Sequence, residues 1–169
     1  MSRAWPHSPI QISSTSSGGV PAAFVVVVDD RLLIEELLVG LKRDRRRPTP
    51  FTTSYWHYRA CRACRAAVLA AAGHLSGPFE HLVAHEQERA VLSLLELRSD
   101  IGLPDPRSTV PVMANIARGH PQLNLLNLEV AAAASVLNAE VWLSEQASKG
   151  VLSAVLDAQG TGWKTVVLA

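Results

Sequence analysis

The feature that most constrains the fold is a short, uninterrupted apolar run, Phe24-Val25-Val26-Val27-Val28. Four consecutive valines favour an extended backbone, and a strand without polar alternation is typical of a parallel sheet covered on both faces. The run ends at Asp29-Asp30, and the leucines that follow have the spacing of a helix with one apolar stripe: Leu32, Leu33, Leu37, Leu38 and Leu41. The pattern predicts a strand, an acidic turn and a helix, in that order.

Later segments extend this pattern into a complete α/β domain. The basic stretch 42–52 is predicted as a loop, and helices are expected at about 53–72, 78–98, 109–118, 123–138 and 148–159. Parallel strands are expected at about 24–28, 140–143 and 163–167, the last two joined by a helix in a right-handed crossover. The predicted fold class is therefore α/β, a three-layer sandwich with a small, mostly parallel sheet.

Length and composition favour one domain preceded by a tail. The chain has 169 residues, enough for a single domain with its own core. Residues 1–20 are rich in Ser, Gly and Pro and are predicted to be a flexible tail, with one domain over residues 21–169. The apolar run 22–28 is far shorter than the ~20 residues of a membrane span, and no signal-peptide core is evident. We therefore expect a cytoplasmic protein with no membrane partner.

Acidic side chains are predicted at the carboxyl ends of two strands. Asp29 and Asp30 follow the first strand directly, where ligands of open α/β sheets bind. Carboxylates there suit Mg²⁺, although either aspartate could instead cap the next helix. Glu129 lies on the alanine-rich helix and Glu145 follows the second strand, so both could converge with Asp29. The alternative is that Glu129 and Glu145 are solvated surface charges.

Basic residues form a second candidate site. Arg43, Arg45, Arg46 and Arg47 cluster in the predicted loop, and Arg59 and Arg62 recur with Arg65 at three-residue spacing on the next helix. With Tyr55, Trp56 and Tyr58 interleaved, this surface could hold a phosphate backbone and stack bases. The alternative is an ordinary solvated face with Trp56 in the core.

The two cysteines offer a weaker site. Cys61 and Cys64 are expected to be free thiols in a reducing compartment. His57, one turn before Cys61, makes a three-ligand cluster geometrically possible, although packing or plain surface thiols are the simpler interpretation.

Three segments resemble the PIN-domain ribonucleases. The stretch 25–33, VVVVDDRLL, looks like the opening strand, aspartate and helix of that family, and 125–132, LLNLEVAA, is similar to the helix that carries its third acid. The stretch 139–146, AEVWLSEQ, looks like its next strand, which ends in Thr or Ser and a fourth acid. The resemblance implies a PIN-like α/β domain that binds Mg²⁺ or Mn²⁺ and hydrolyses RNA, as toxin-like members do.

Several positions depart from the family pattern. Asp29 matches the first acid, but Arg59 lies near the place of the second, Asn127 stands for the third and Gln146 for the fourth. A guanidinium puts a fixed positive charge into a cation site. Glu129 is about 200° around the helix axis from Asn127, so the two cannot face one crevice. That leaves Asp29 and Glu145 as the predicted metal pair, with Asp30 and Glu129 as further catalytic candidates.

Three functions are compatible with these patterns. The first is a PIN-like domain with impaired or lost nuclease activity that binds RNA or a protein partner, such as an antitoxin-like protein or a second copy of the chain. The second is an active, toxin-like endoribonuclease that uses Mg²⁺ or Mn²⁺. The third is an α/β interaction domain without a nucleic-acid role. A cofactor is expected only for the active enzyme.

Overall fold

The structure is a computed structural model that describes residues 24–41, 48–68, 75, 77–80 and 82–168. The predicted tail, residues 1–20, lies outside these residues, and so do four of the candidate RNA-binding arginines, Arg43, Arg45, Arg46 and Arg47. In the part that is described, no helix is both long and apolar enough to cross a membrane.

The described chain contains one four-stranded parallel sheet. Its strands are β1 (Val25–Val28), β2 (Thr49–Phe51), β3 (Glu140–Ser144) and β4 (Trp163–Val166), in the order β2-β1-β3-β4. Val27 in β1 is the partner of Phe51 in β2 and of Val141 in β3. The predicted parallel arrangement of the first, second and last expected strands is confirmed, and β1 and β3 are direct neighbours.

Helices cover both faces of this sheet. They are α1 (Asp30–Leu38), α2 (Ser54–Val68), α3 (Gly77–Glu80), α4 (Ala84–Glu96), α5 (Pro106–Gly119), α6 (Leu125–Leu137), α7 (Glu145–Ser148) and α8 (Val151–Ala158). Val27, Val141 and Leu143 pack with residues of α5, α6 and α8, whereas Val26, Val28 and Trp142 pack with residues of α1, α2 and α4. Because side chains alternate along each strand, the sheet separates two apolar cores, and the predicted three-layer α/β fold is confirmed.

The alanine run of α6 explains how closely that helix approaches the sheet. Ala131, Ala132 and Ala133 have no exposed surface, and Ala134 is 1% exposed. Side chains this small let the helix backbone lie against β1, which α6 contacts. The end of α6 is set by Asn138, whose φ of 48° places it in the left-handed region that Asn tolerates at a helix end.

Two parts of the predicted secondary structure are wrong. Thr49–Phe51 forms the edge strand β2 where a loop was predicted, because pairing with β1 outweighs the proline at position 50. The helix expected from Pro78 to Arg98 is divided into α3 and α4, and Val83 takes an extended conformation at the start of α4. The helix expected at 148–159 is observed as α8, and the short helix α7, which was not predicted, precedes it and ends at Ser148.

Gly102 holds the outer side of β2. Its N–H donates to the Pro50 carbonyl at 2.9 Å, and its carbonyl accepts from the Thr52 N–H at 2.9 Å. A Cβ at Gly102 would lie 2.4 Å from the Phe51 ring, closer than atoms can pack. Glycine is therefore required here by the close approach of the ring.

Candidate active site and its altered charges

Asp29 joins three elements through one buried carboxylate. It is the N-cap of α1, where Oδ1 accepts a hydrogen bond from the Leu32 N–H at 2.8 Å. Its Oδ2 accepts from both the N–H and the hydroxyl of Ser144 at the end of β3, each at 2.7 Å. Burial raises the pKa of Asp29 above its ordinary value of 3.8, and these hydrogen bonds oppose the rise. The capping role considered from the sequence is confirmed.

Asp30 forms an ion pair with Arg59. Its Oδ2 lies 2.9 Å from Nε of Arg59, but the two atoms lack the directional geometry of a hydrogen bond, so Oδ2 accepts none in the described structure. The Asp30 side chain is 7% exposed and that of Arg59 is 41% exposed. Burial raises the pKa of the Asp30 carboxyl to about 6, while Arg59 lowers it and Asp29 adds to the rise.

An open crevice of about 230 Å³ lies beyond the carboxyl ends of β1 and β3, and we call it the strand-end crevice. Its position agrees with the rule for ligand sites in open α/β sheets. The crevice brings together Arg59, Asn127 and Gln146, the three non-acidic residues that the sequence resemblance places where PIN domains have their second, third and fourth acids. Its polar lining consists of Asp30, Arg31, Arg59, Asn127, Ser144 and Gln146.

Glu129 faces away from the strand-end crevice and caps α2. It is buried, and its two carboxylate oxygens accept from the backbone N–H groups of Ser54 at 3.1 Å and Tyr55 at 2.9 Å. A carboxylate at a helix N-terminus satisfies free N–H groups and interacts favourably with the helix dipole. The prediction that Asn127 and Glu129 face different directions is confirmed, and the interpretation of Glu129 as a solvated charge is wrong.

Glu145 is exposed at the start of α7 and lies outside the strand-end crevice. It lines a neighbouring concave surface together with Arg31 and Lys149. The structure therefore does not place Glu145 with Asp29, which is fully buried, and the predicted convergence of Asp29, Glu129 and Glu145 is not observed. Whether any of the four candidate acids takes part in catalysis stays a prediction.

The side chains at this site do not fit a divalent cation. Asp29 accepts three hydrogen bonds, Glu129 caps α2, and the single carboxylate lining the strand-end crevice is paired with Arg59. Among the described residues, no group of three or more His, Cys, Asp or Glu side chains could hold a metal ion. Hard cations bind oxygen ligands that usually include at least one free carboxylate, whereas this crevice presents two guanidinium groups and one carboxylate that is already paired.

The predicted arginine ridge of α2 is divided between two surfaces. Arg59 lines the strand-end crevice, whereas Arg62 and Arg65 line an apolar groove of about 580 Å³ between α2 and α4. We call this second surface the α2/α4 groove; its lining is Tyr58, Cys61, Arg62, Cys64, Arg65, Val91, Leu94 and Leu95. Trp56 is 2% exposed and belongs to the core, so it cannot stack with a base on the outer surface.

The thiols and His57 have packing roles. The carbonyl oxygen of Leu94 contacts both Nε2 of His57 and Sγ of Cys61, the latter at 3.6 Å. Burial raises the pKa of Cys64 to about 11 and also raises the pKa of Cys61. Because the thiolate is the form that binds metals and reacts, this environment favours the simpler interpretation of the two cysteines.

Arg31 is the crevice residue that the sequence did not single out. It lies on the first turn of α1 and lines both the strand-end crevice and the neighbouring surface that carries Glu145. The signal was its position directly after Asp29-Asp30, because side chains that begin a helix after a central strand lie beside the crevice.

No protein-family model and no curated protein matches this chain. Among solved structures, that of VapBC-1 from nontypeable Haemophilus influenzae is similar at a TM-score of 0.47 and 12% identity, covering 84% of this chain and 98% of that chain. A similarity of this size establishes neither a family nor a function.

Proposed function

We propose that this protein is a PIN-like domain that has lost metal-dependent nuclease activity and binds RNA. The observation that carries the proposal is the Asp30–Arg59 ion pair, which puts a fixed cation where a hydrolytic site needs a metal ligand. Two-metal phosphodiester hydrolysis needs several carboxylates to hold ions about 4 Å apart. Here the other acids of the region are engaged in capping or lie outside the strand-end crevice.

The RNA-binding part of the proposal depends on charge and position. Arg31 and Arg59 line the strand-end crevice, and Arg62 is exposed farther along α2. Although Arg59 and Arg62 line different surfaces, an extended phosphate backbone can run from one to the other, and each contact releases counterions. The cluster Arg43, Arg45, Arg46 and Arg47 would add to this attraction.

Cleavage is tested with purified full-length protein on single-stranded and structured RNA in Mg²⁺ or Mn²⁺. We expect no cleavage above that of a matched Asp30→Asn and Glu145→Gln double variant, which neutralises the carboxylate that lines the crevice and the exposed one beside it. If the native chain cleaves RNA and the double variant does not, the protein is an active endoribonuclease and our proposal is wrong. The Asp29→Asn variant is a weaker control, because Asp29 also holds the fold together.

Binding is tested by titrating fluorescent RNA at several salt concentrations. We expect the logarithm of affinity to fall linearly with the logarithm of salt, and the Arg59→Lys, Arg62→Ala double variant to bind more weakly with a smaller slope. RNA binding that is undetectable at low salt would favour an interaction domain without a nucleic-acid role. A protein partner, either an antitoxin-like protein or a second copy of the chain, also stays a prediction. Light scattering of the purified protein tests whether it forms a homodimer.

A further inference from the structure

The strand-end crevice contains hydrogen-bond donors that have no acceptor in the described structure. Asp30 is the only interaction partner of the Arg59 guanidinium there, and it contacts Nε. The Arg31 guanidinium and the side-chain amide of Asn127 make no hydrogen bond to any described residue. Arg31 comes from α1, Arg59 from α2 and Asn127 from α6, so donors of three elements line one concave surface.

The charge of the strand-end crevice is also suited to an anion. Two guanidinium groups and one carboxylate line it, and the carboxylate is already paired. The neighbouring surface adds Lys149 and Glu145, which leaves the positive excess unchanged. A divalent cation would meet two fixed positive charges here, whereas an anion would meet unsatisfied donors.

We infer that the strand-end crevice is a phosphate site, in which Arg31, Arg59 and Asn127 bind a phosphate group directly. The inference rests on the proposed function. In it, the guanidinium groups of Arg31 and Arg59 supply the positive charge that a metal ion supplies in a nuclease site. The Asp30 carboxylate contacts Nε of Arg59, and the two terminal nitrogens, which it does not contact, are the edge that forms paired hydrogen bonds to oxyanions.

A phosphate group fits this site better than a carboxylate does. The two oxygens of a carboxylate lie in one plane and match a single guanidinium edge, whereas tetrahedral phosphate oxygens can accept from donors that converge from three elements. The crevice of about 230 Å³ is also several times larger than one water, which takes up about 30 Å³ of the liquid. The group can be a free phosphate or a phosphodiester within RNA, and the test separates these sources.

The experiment measures binding of inorganic phosphate, acetate and a short single-stranded RNA without a terminal phosphate to the full-length protein by calorimetry. The informative variants are Arg31→Met and Asn127→Ala, which remove donors that have no partner in the described structure and so leave the fold intact. Arg59→Lys keeps a positive charge beside Asp30 but loses the planar fork. Arg107→Met, an exposed arginine at the start of α5, is the control of equal charge.

We expect Arg31→Met and Arg59→Lys each to weaken phosphate binding about tenfold or more, as the loss of a charge-assisted hydrogen bond does. Asn127→Ala should weaken it less, and Arg107→Met should leave it unchanged. If the source is RNA, phosphate should compete with the RNA, and Arg31→Met should reduce the salt slope of RNA binding by about 0.7. If phosphate binds with the same dependence on these residues but does not compete, the site takes free phosphate compounds.

Two results would overturn the inference. The first is phosphate affinity that Arg31→Met and Asn127→Ala leave unchanged, and the second is acetate binding more tightly than phosphate at this site. Phosphate affinity that these variants leave unchanged, together with RNA binding that Arg62→Ala weakens, would reject the phosphate site and retain the proposed function. Metal-dependent RNA cleavage would instead reject the proposed function, so the two failures are distinguishable.

Discussion

Replacing Asp30 by Asn should stabilise the protein at neutral pH. Asp30 is buried, and its pKa is raised from 3.8 to about 6 in the folded protein. The unfolded chain therefore ionises this group more readily than the native state does. The stability that Asp30 contributes is highest below pH 4, falls as the pH rises from about 4 to 6, and stays low at pH 7.

The size of this effect follows from the shift in pKa. The difference is roughly two units, and each unit corresponds to about 1.4 kcal/mol. Ionised Asp30 thus costs the native state up to about 3 kcal/mol at pH 7. Asparagine keeps the Oδ1 atom that accepts from the Arg31 N–H, and Arg59 is exposed enough for water to solvate its charge. We expect a net gain of about 1 to 3 kcal/mol.

The assay is urea unfolding of the native chain and Asp30→Asn at pH 4, 5, 6 and 7. The free-energy difference between the two proteins should be near zero at pH 4 and should grow toward pH 7. Glu88→Gln, an exposed glutamate on α4, is the matched control and should show a flat difference. An Asp30→Asn variant that is less stable than the native chain at pH 7, or whose difference from it does not change with pH, would refute the reasoning.

Three further substitutions test the structural roles described above, each by urea unfolding. Asp29→Asn should destabilise by about 1 to 3 kcal/mol, because the amide nitrogen cannot accept from the Ser144 N–H and hydroxyl; a loss under about 0.5 kcal/mol would contradict the bridging role. Glu129→Ala should cost about 1 to 2 kcal/mol by uncapping α2, with exposed Glu96→Ala as a near-neutral control. Gly102→Ala should displace the Phe51 ring and destabilise the protein, whereas Gly119→Ala, which has open space around its Cβ position, should be tolerated better.

The local pattern of the sequence was enough to predict the layers of this fold but not every element. Burial of the valine run and of the alanine-rich helix could be predicted from the sequence, because each is apolar over consecutive positions. The strand β2 was missed because a three-residue strand containing proline carries almost no local signal. Its existence depends on pairing with β1 and on Gly102, both distant in sequence.

For the candidate site, the sequence predicted which side chains lie near the crevice better than it predicted their hydrogen-bond partners. The resemblance to PIN domains placed Arg59, Asn127 and Gln146 at the positions of three family acids, and these three residues line one crevice in the structure. The partner of Glu129 is the N-terminus of α2, some 75 residues away, and no local pattern indicates which helix end a buried carboxylate will meet. The same holds for the pairing of Asp29 with Ser144 across the sheet.

The bridging carboxylate of Asp29 affects how sequences of this type should be interpreted. Asp29 follows β1, caps α1 and accepts a hydrogen bond from the end of β3. A chain that had never hydrolysed a phosphodiester would therefore still lose stability without this acid. Its presence is evidence of how the sheet is assembled and carries little information about chemistry. Screens that separate enzymes from inactive relatives should therefore give more weight to positions with no folding task, such as those of Arg31 and Asn127 here.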